Sequence, residues 1–172
     1  MPSVDLTRVY ENLPELTTLH IQNIDEFKIP NFQAIYKKLT TYKGLEKLSI
    51  ELVSFDLWDI KAELLEILRI HADTLKYFSL ARNKVTSDLM KYLCGELSKG
   101  FNVLEVVDLR HLKENGKVVH PELLQCIASM LSGEKRRSPV RVYFSEYQTQ
   151  LKRAAINEYM AKAKPNIELH FE

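Results

Sequence analysis

The sequence predicts an α/β solenoid, a right-handed β/α superhelix with a parallel concave sheet and helices on its convex side. Three observations lead there. Short segments of alternating apolar residues recur at a near-constant interval, each interval holds an apolar stripe of helical period, and turn signals fall between strand and helix patterns.

The recurrence is clearest in Leu16-Thr17-Thr18-Leu19-His20-Ile21, Leu45-Glu46-Lys47-Leu48-Ser49-Ile50, Leu75-Lys76-Tyr77-Phe78-Ser79-Leu80 and Leu104-Glu105-Val106-Val107-Asp108-Leu109. All four read LxxLxL, and they start at residues 16, 45, 75 and 104, a repeat of 29 to 30 residues. Two shorter copies at 140–144 and 167–171 keep the alternation through Val142/Phe144 and Leu169/Phe171, with an insertion ahead of the first. Period-2 alternation gives a strand one buried face. Parallel neighbours of this kind need a crossover, so strands are expected near 16–21, 45–50, 75–80, 104–109, 140–144 and 167–171, with a helix in each interval.

The intervals supply those helices. Their apolar stripes are Phe32, Ile35 and Leu39; Leu57, Ile60, Leu64, Leu65 and Leu68; Leu89, Leu93 and Leu97; and Leu123, Leu124, Ile127 and Leu131. A last helix near 147–163 turns Leu151, Ala155 and Tyr159 inward and ends before Pro165. Asn31, Asp56 and Thr86 or Ser87 are expected N-caps, Pro121 suits a first helical position, and Gly44, Gly100 and Gly133 are expected helix stops.

A repeat of this length with a full helix per unit resembles the ribonuclease-inhibitor-like class of leucine-rich-repeat proteins. The segment Leu75-x-x-Phe78-x-Leu80-x-x-Asn83-x-Val85 completes the longer signature of that class. The resemblance implies that Asn83 is buried and bonds backbone groups of the neighbouring turn, while Ile24, Val53 and Leu112 fill the same position with apolar side chains. Within the class, the whole chain resembles the C-terminal domain of tropomodulin and leiomodin, the actin pointed-end proteins. The matching features are a leading helix near 4–13, Ile29-Pro30 after the first strand, the single Asn83, Ile127-Ala128-Ser129-Met130-Leu131, and Leu151-Lys152-Arg153-Ala154-Ala155. That resemblance implies an actin partner. The loop 132–139 with Lys135-Arg136-Arg137, and the strand-like segment at 167–171, depart from the family pattern.

Length and composition fit one folded domain over residues 1–172, with 45% hydrophobic and 27% charged residues. Lys plus Arg number 24 against 23 for Asp plus Glu, so no basic excess points to nucleic acid. No run approaches the roughly 18 apolar residues of a membrane span, and Met1-Pro2-Ser3-Val4-Asp5 does not open a secretory leader. A soluble cytoplasmic protein is expected, with Cys94 and Cys126 as buried thiols.

Catalytic signals are thin. His20, His71, His111, His120 and His170 are scattered without metal-ligand spacing and read as surface groups, and 5 glycines leave no room for a phosphate-cradling loop. Neither catalysis nor a cofactor nor a metal is expected. Strand alternation instead points to the sheet face. Thr18, Lys47, Tyr77, Val106 and Arg141 form one outward row, and His20, Ser49, Ser79, Asp108 and Tyr143 form the next. Tyr and Arg supply interface anchors, so Lys47, Tyr77, Asp108, Arg110, Arg141 and Tyr143 are the candidate partner-binding residues, joined by the basic run Lys135, Arg136 and Arg137. Trp58 is read as core or helix-edge packing. The expected function is a non-catalytic protein–protein interaction scaffold. Its alternatives are actin pointed-end binding and a regulatory or substrate-recognition fragment of a larger multidomain protein.

Overall fold

Six strands lie in one parallel sheet in chain order: β1 (Thr18–Gln22), β2 (Lys47–Glu51), β3 (Tyr77–Ser79), β4 (Val106–Asp108), β5 (Val140–Phe144) and β6 (Ile167–Phe171). The computed structural model describes residues 12–22, 27–97, 101–112, 139–145 and 167–171. The expected helix near 4–13 but for its last two positions, which are not helical, the expected helices near 123–131 and 147–163, the basic run Lys135-Arg136-Arg137, and the positions Ile24, Gly100, His120, Pro121, Cys126 and Gly133 lie outside these residues. Three helices provide the first crossovers: α1 (Ile29–Leu39), α2 (Lys61–Ile70), entered through a 3₁₀ turn at Leu57–Ile60, and α3 (Ser87–Leu97). They pack side by side in chain order.

The strand register follows the sequence repeat. Thr18, Lys47, Tyr77, Val106, Arg141 and Glu168 stand in one row, and His20, Ser49, Ser79, Asp108, Tyr143 and His170 in the next. The first four strands begin two residues later than expected because Leu16, Leu45, Leu75 and Leu104 precede them as packing residues. At each entry a single carbonyl accepts two N–H groups from the following unit: Thr17 from Glu46 and Lys47, Glu46 from Lys76 and Tyr77, and Lys76 from Glu105 and Val106.

The core is the apolar face of the sheet pressed against the helices. Leu48 and Ile50 from β2 meet Phe32, Ile35 and Leu39 of α1, Leu57 and Ile60 of the 3₁₀ turn, and Leu64, Leu65, Ile67 and Leu68 of α2, all buried. Burying a side chain of this size contributes about 1.5–3 kcal/mol.

Helix ends follow the expected chemistry at two positions and depart from it at two. Asp56 Oδ1 accepts from Trp58 N at 2.9 Å, and Thr86 Oγ1 accepts from Leu89 N at 3.2 Å. Asn31, in contrast, is not an N-cap. Pro30 is accommodated in the first turn, where its missing N–H costs nothing, so α1 starts at Ile29, and Asn31 Oδ1 reaches back to accept from Lys28 N at 2.9 Å. Gly44 is not a helix stop either. The Thr40 and Thr41 hydroxyls close α1 on the carbonyls of Lys37 and Lys38, and Gly44 serves the turn into β2 with φ of 139°.

The turn leaving each strand repeats as well. Leu52, Arg82 and His111, each five residues after the first residue of β2, β3 and β4, all adopt left-handed backbone with φ of 50°, 62° and 58°. Successive units thus share an unusual backbone state without sharing a residue type, in a region that favours glycine.

Two polar groups tie neighbouring units together on the helix side and at the strand exits. His71 is fully buried, which corrects its reading as a surface group. Its Nδ1 accepts from Leu45 N at 3.3 Å, which leaves the ring proton on Nε2 to donate to the Leu39 carbonyl at 2.9 Å. Burial pushes its pKa below the ordinary histidine value, against the smaller opposing effect of the Leu39 bond. Asn83 is buried at the β3 exit: Oδ1 accepts from Val53 N at 3.1 Å, and Nδ2 donates to the carbonyls of Ile50 and Leu80. One amide side chain thereby satisfies backbone groups of two consecutive turns.

Candidate functional site

The sheet face turned away from the described helices carries the outward rows. Thr18, Lys47, Arg141 and Glu168 are exposed, and Tyr77 and Val106 are half-buried between them. The second row, expected to face outward, is closed over its middle. Ser49, Ser79 and Asp108 are buried, with Asp108 only 3% exposed, while His20 at one end is exposed and Tyr143 and His170 at the other are half-buried. The reason is size. Short serine side chains on adjacent strands leave a depression, and the longer Glu51 and Tyr77 lean over it.

Glu51 fills one side. Its Oε1 accepts from the hydroxyls of Ser49 and Ser79 at 2.8 Å each, and Ser79 Oγ in turn accepts from Ala81 N at 3.2 Å. Sequence reasoning missed this carboxylate because the expected strand ended at Ile50. The alternation Lys47, Ser49, Glu51 runs one residue further and was the available signal.

Asp108 organises the other side. Arg110 grips it with two side-chain bonds, Nε to Oδ1 at 3.0 Å and Nη2 to Oδ2 at 2.7 Å, and the Arg110 backbone N–H adds a third at 3.1 Å to Oδ1. A bidentate pair of this kind fixes the guanidinium plane. The Tyr77 hydroxyl donates to Asp108 Oδ2 at 3.5 Å. Burial pushes the Tyr77 phenol up, and the negative charges of Asp108 and Glu51 push it the same way, opposed by the Ser79 bond and Arg110. The guanidinium of Arg110 stands 5.4 Å from the Tyr143 ring centre, and Tyr143 stacks on His170 at 4.8 Å.

Of the candidate residues, Tyr77, Asp108, Arg110 and Tyr143 thus form one connected network. Lys47 and Arg141 stand at separate strands in the outer row, with no ion pair among the described residues. Trp58 is 37% exposed on the helix side, edge-on to Tyr92 at 6.4 Å with Lys61 Nζ 4.1 Å from its ring centre, a helix-edge packing position. Among the described residues no cluster of three or more His, Cys, Asp or Glu side chains suits a metal ion, and no helix is long and apolar enough to cross a membrane.

No protein-family model matches the chain, and no curated protein matches it.

Proposed function

We propose that the chain is a leucine-rich-repeat solenoid acting as a non-catalytic scaffold, with the sheet face as its docking surface for a protein partner. The observation that carries this reading is the Asp108–Arg110–Tyr143–His170 arrangement. A guanidinium locked by a buried carboxylate and an aromatic ring held between cation and imidazole present area whose side-chain entropy is already spent. The repeated left-handed turns and the Asn83 bridge support the solenoid part of the reading.

Tyr143→Ala is expected to weaken partner binding by about 1–3 kcal/mol with little change in folding stability. Partners captured from native lysate and identified by mass spectrometry can be titrated against wild type, this variant, and a triple Lys135, Arg136 and Arg137→Ser variant. A larger loss in the triple variant, together with a flatter salt dependence, would move recognition from the sheet face to the basic loop. The tropomodulin resemblance supplies one named candidate, actin, on analogy alone. Unchanged pointed-end elongation at saturating protein would remove it.

A further inference from the structure

Glu51 is nine-tenths buried, yet its two oxygens are treated differently. Oε1 receives both serine hydroxyls, while Oε2 has no hydrogen-bond partner among the described residues and the residue keeps 9% exposure. Asp108, its counterpart two strands away, has Arg110; Glu51 has no such cation among the described residues. Lys47, the cation on the same strand, makes no ion pair with it among the described residues. The formal charges of Glu51, Asp108 and Arg110 sum to minus one. Buried carboxylates are ordinarily paired, because leaving water is costly for a charge.

We infer that Glu51 is the docking point for an arginine side chain of a protein partner, seated against the Tyr77 ring. The inference rests on the sheet face being the docking surface and adds the chemistry of what docks there. Two serine hydroxyls donating to one oxygen hold the carboxylate in place, so an incoming N–H meets an acceptor that needs no reorganisation. Tyr77, half-buried on the same face, donates its hydroxyl to Asp108 Oδ2 at 3.5 Å, and an aromatic ring offers a π face to a planar cation. A guanidinium fits better than an ammonium, since it is more weakly hydrated and stacks on aromatic rings.

The test uses a capped Ala-Arg-Ala tripeptide titrated into the full isotope-labelled chain, with the citrulline and lysine tripeptides as controls. Amide shifts are expected to saturate at Glu51, Ser79 and Tyr77 in the millimolar range. Glu51→Gln retains an oxygen for the two serines, so the variant should fold as wild type does, and should weaken the arginine peptide by about tenfold. Citrulline, the neutral isostere, should bind no better to wild type than arginine does to Glu51→Gln. Equal binding of citrulline and arginine, unchanged binding by a folded Glu51→Gln, or no saturable shift up to roughly 50 mM peptide would overturn the inference. A lysine peptide as tight as the arginine one would overturn the assignment to arginine. If Tyr143→Ala loses the captured partner while the tripeptide ignores Glu51, the face reading stands and this inference falls. If the tripeptide depends on Glu51 while the captured partner ignores Tyr143, this inference stands and Tyr143 falls as the anchor of the face.

Discussion

His71 and Glu51 are two buried titratable side chains on opposite sides of the same sheet, and they are finished to different degrees. Both ring nitrogens of His71 meet backbone groups, one from the end of α1 and one from the approach to β2. Glu51 meets the protein with one oxygen and leaves the other open. A fully satisfied group holds neighbouring units together, whereas a half-satisfied one holds its geometry ready for something else. On the proposed reading, stability and binding fall to different faces.

The comparison breaks most visibly at the fully satisfied groups. Asn83→Ala would orphan Val53 N–H and the Ile50 and Leu80 carbonyls at once, an expected loss of about 2–4 kcal/mol in chemical denaturation. A loss below about 0.5 kcal/mol would show that water replaces the amide, and that the bridge between turns contributes little.

His71→Leu comes next, at about 2–3 kcal/mol near neutral pH, since two buried backbone groups lose their partner. It also carries a pH signature. A histidine whose folded-state pKa lies below its unfolded value of about 6.5 stays neutral in the fold while the unfolded chain takes up a proton. Its contribution is therefore complete above about pH 6.5 and falls as the pH drops below that value. Protonation would also turn Nδ1 into a donor facing the Leu45 N–H. Urea midpoints measured from pH 8 down to pH 5 should decline in wild type and decline less in His71→Leu. Parallel curves would assign the acid sensitivity to other groups.

Glu51→Gln is the smallest effect and the sharpest contrast. Its expected stability change is within about 0.5 kcal/mol, because the retained oxygen still accepts from Ser49 and Ser79. Destabilisation on the scale of Asn83→Ala would make the carboxylate a structural element like His71, and the two-face division would fail.

The sequence made the strand rows legible because period 2 and a repeat of 29 to 30 residues together fix which residues stand beside one another. It also made the helix stripes legible, since Phe32, Ile35, Leu39, Leu57, Ile60, Leu64, Leu65 and Leu68 are all buried. What alternation cannot encode is depth within a face. Ser49, Ser79 and Asp108 point outward in register and are nevertheless buried, because longer neighbours fold over them. His71 was illegible for a related reason: it sits just past α2, and its burial depends on the end of α1, a non-local pairing with no spacing signal. The left-handed turns at Leu52, Arg82 and His111 were equally silent, since none is the glycine or asparagine that would announce such a backbone.

The sequential order of the sheet has a kinetic consequence. Every strand finds its partner one unit along the chain, so each pairing of the first four strands closes a loop of nearly the same length. Closure entropy changes by only about 0.6 kcal/mol for a doubling of loop length, so proximity alone gives none of those pairings a head start. Which seam nucleates is then decided by the contacts made across it. The seam between β2 and β3 has the strongest claim, for the Asn83 bridge, the Glu51 bond to Ser79 and the Thr74 hydroxyl on the Leu45 carbonyl all cross it.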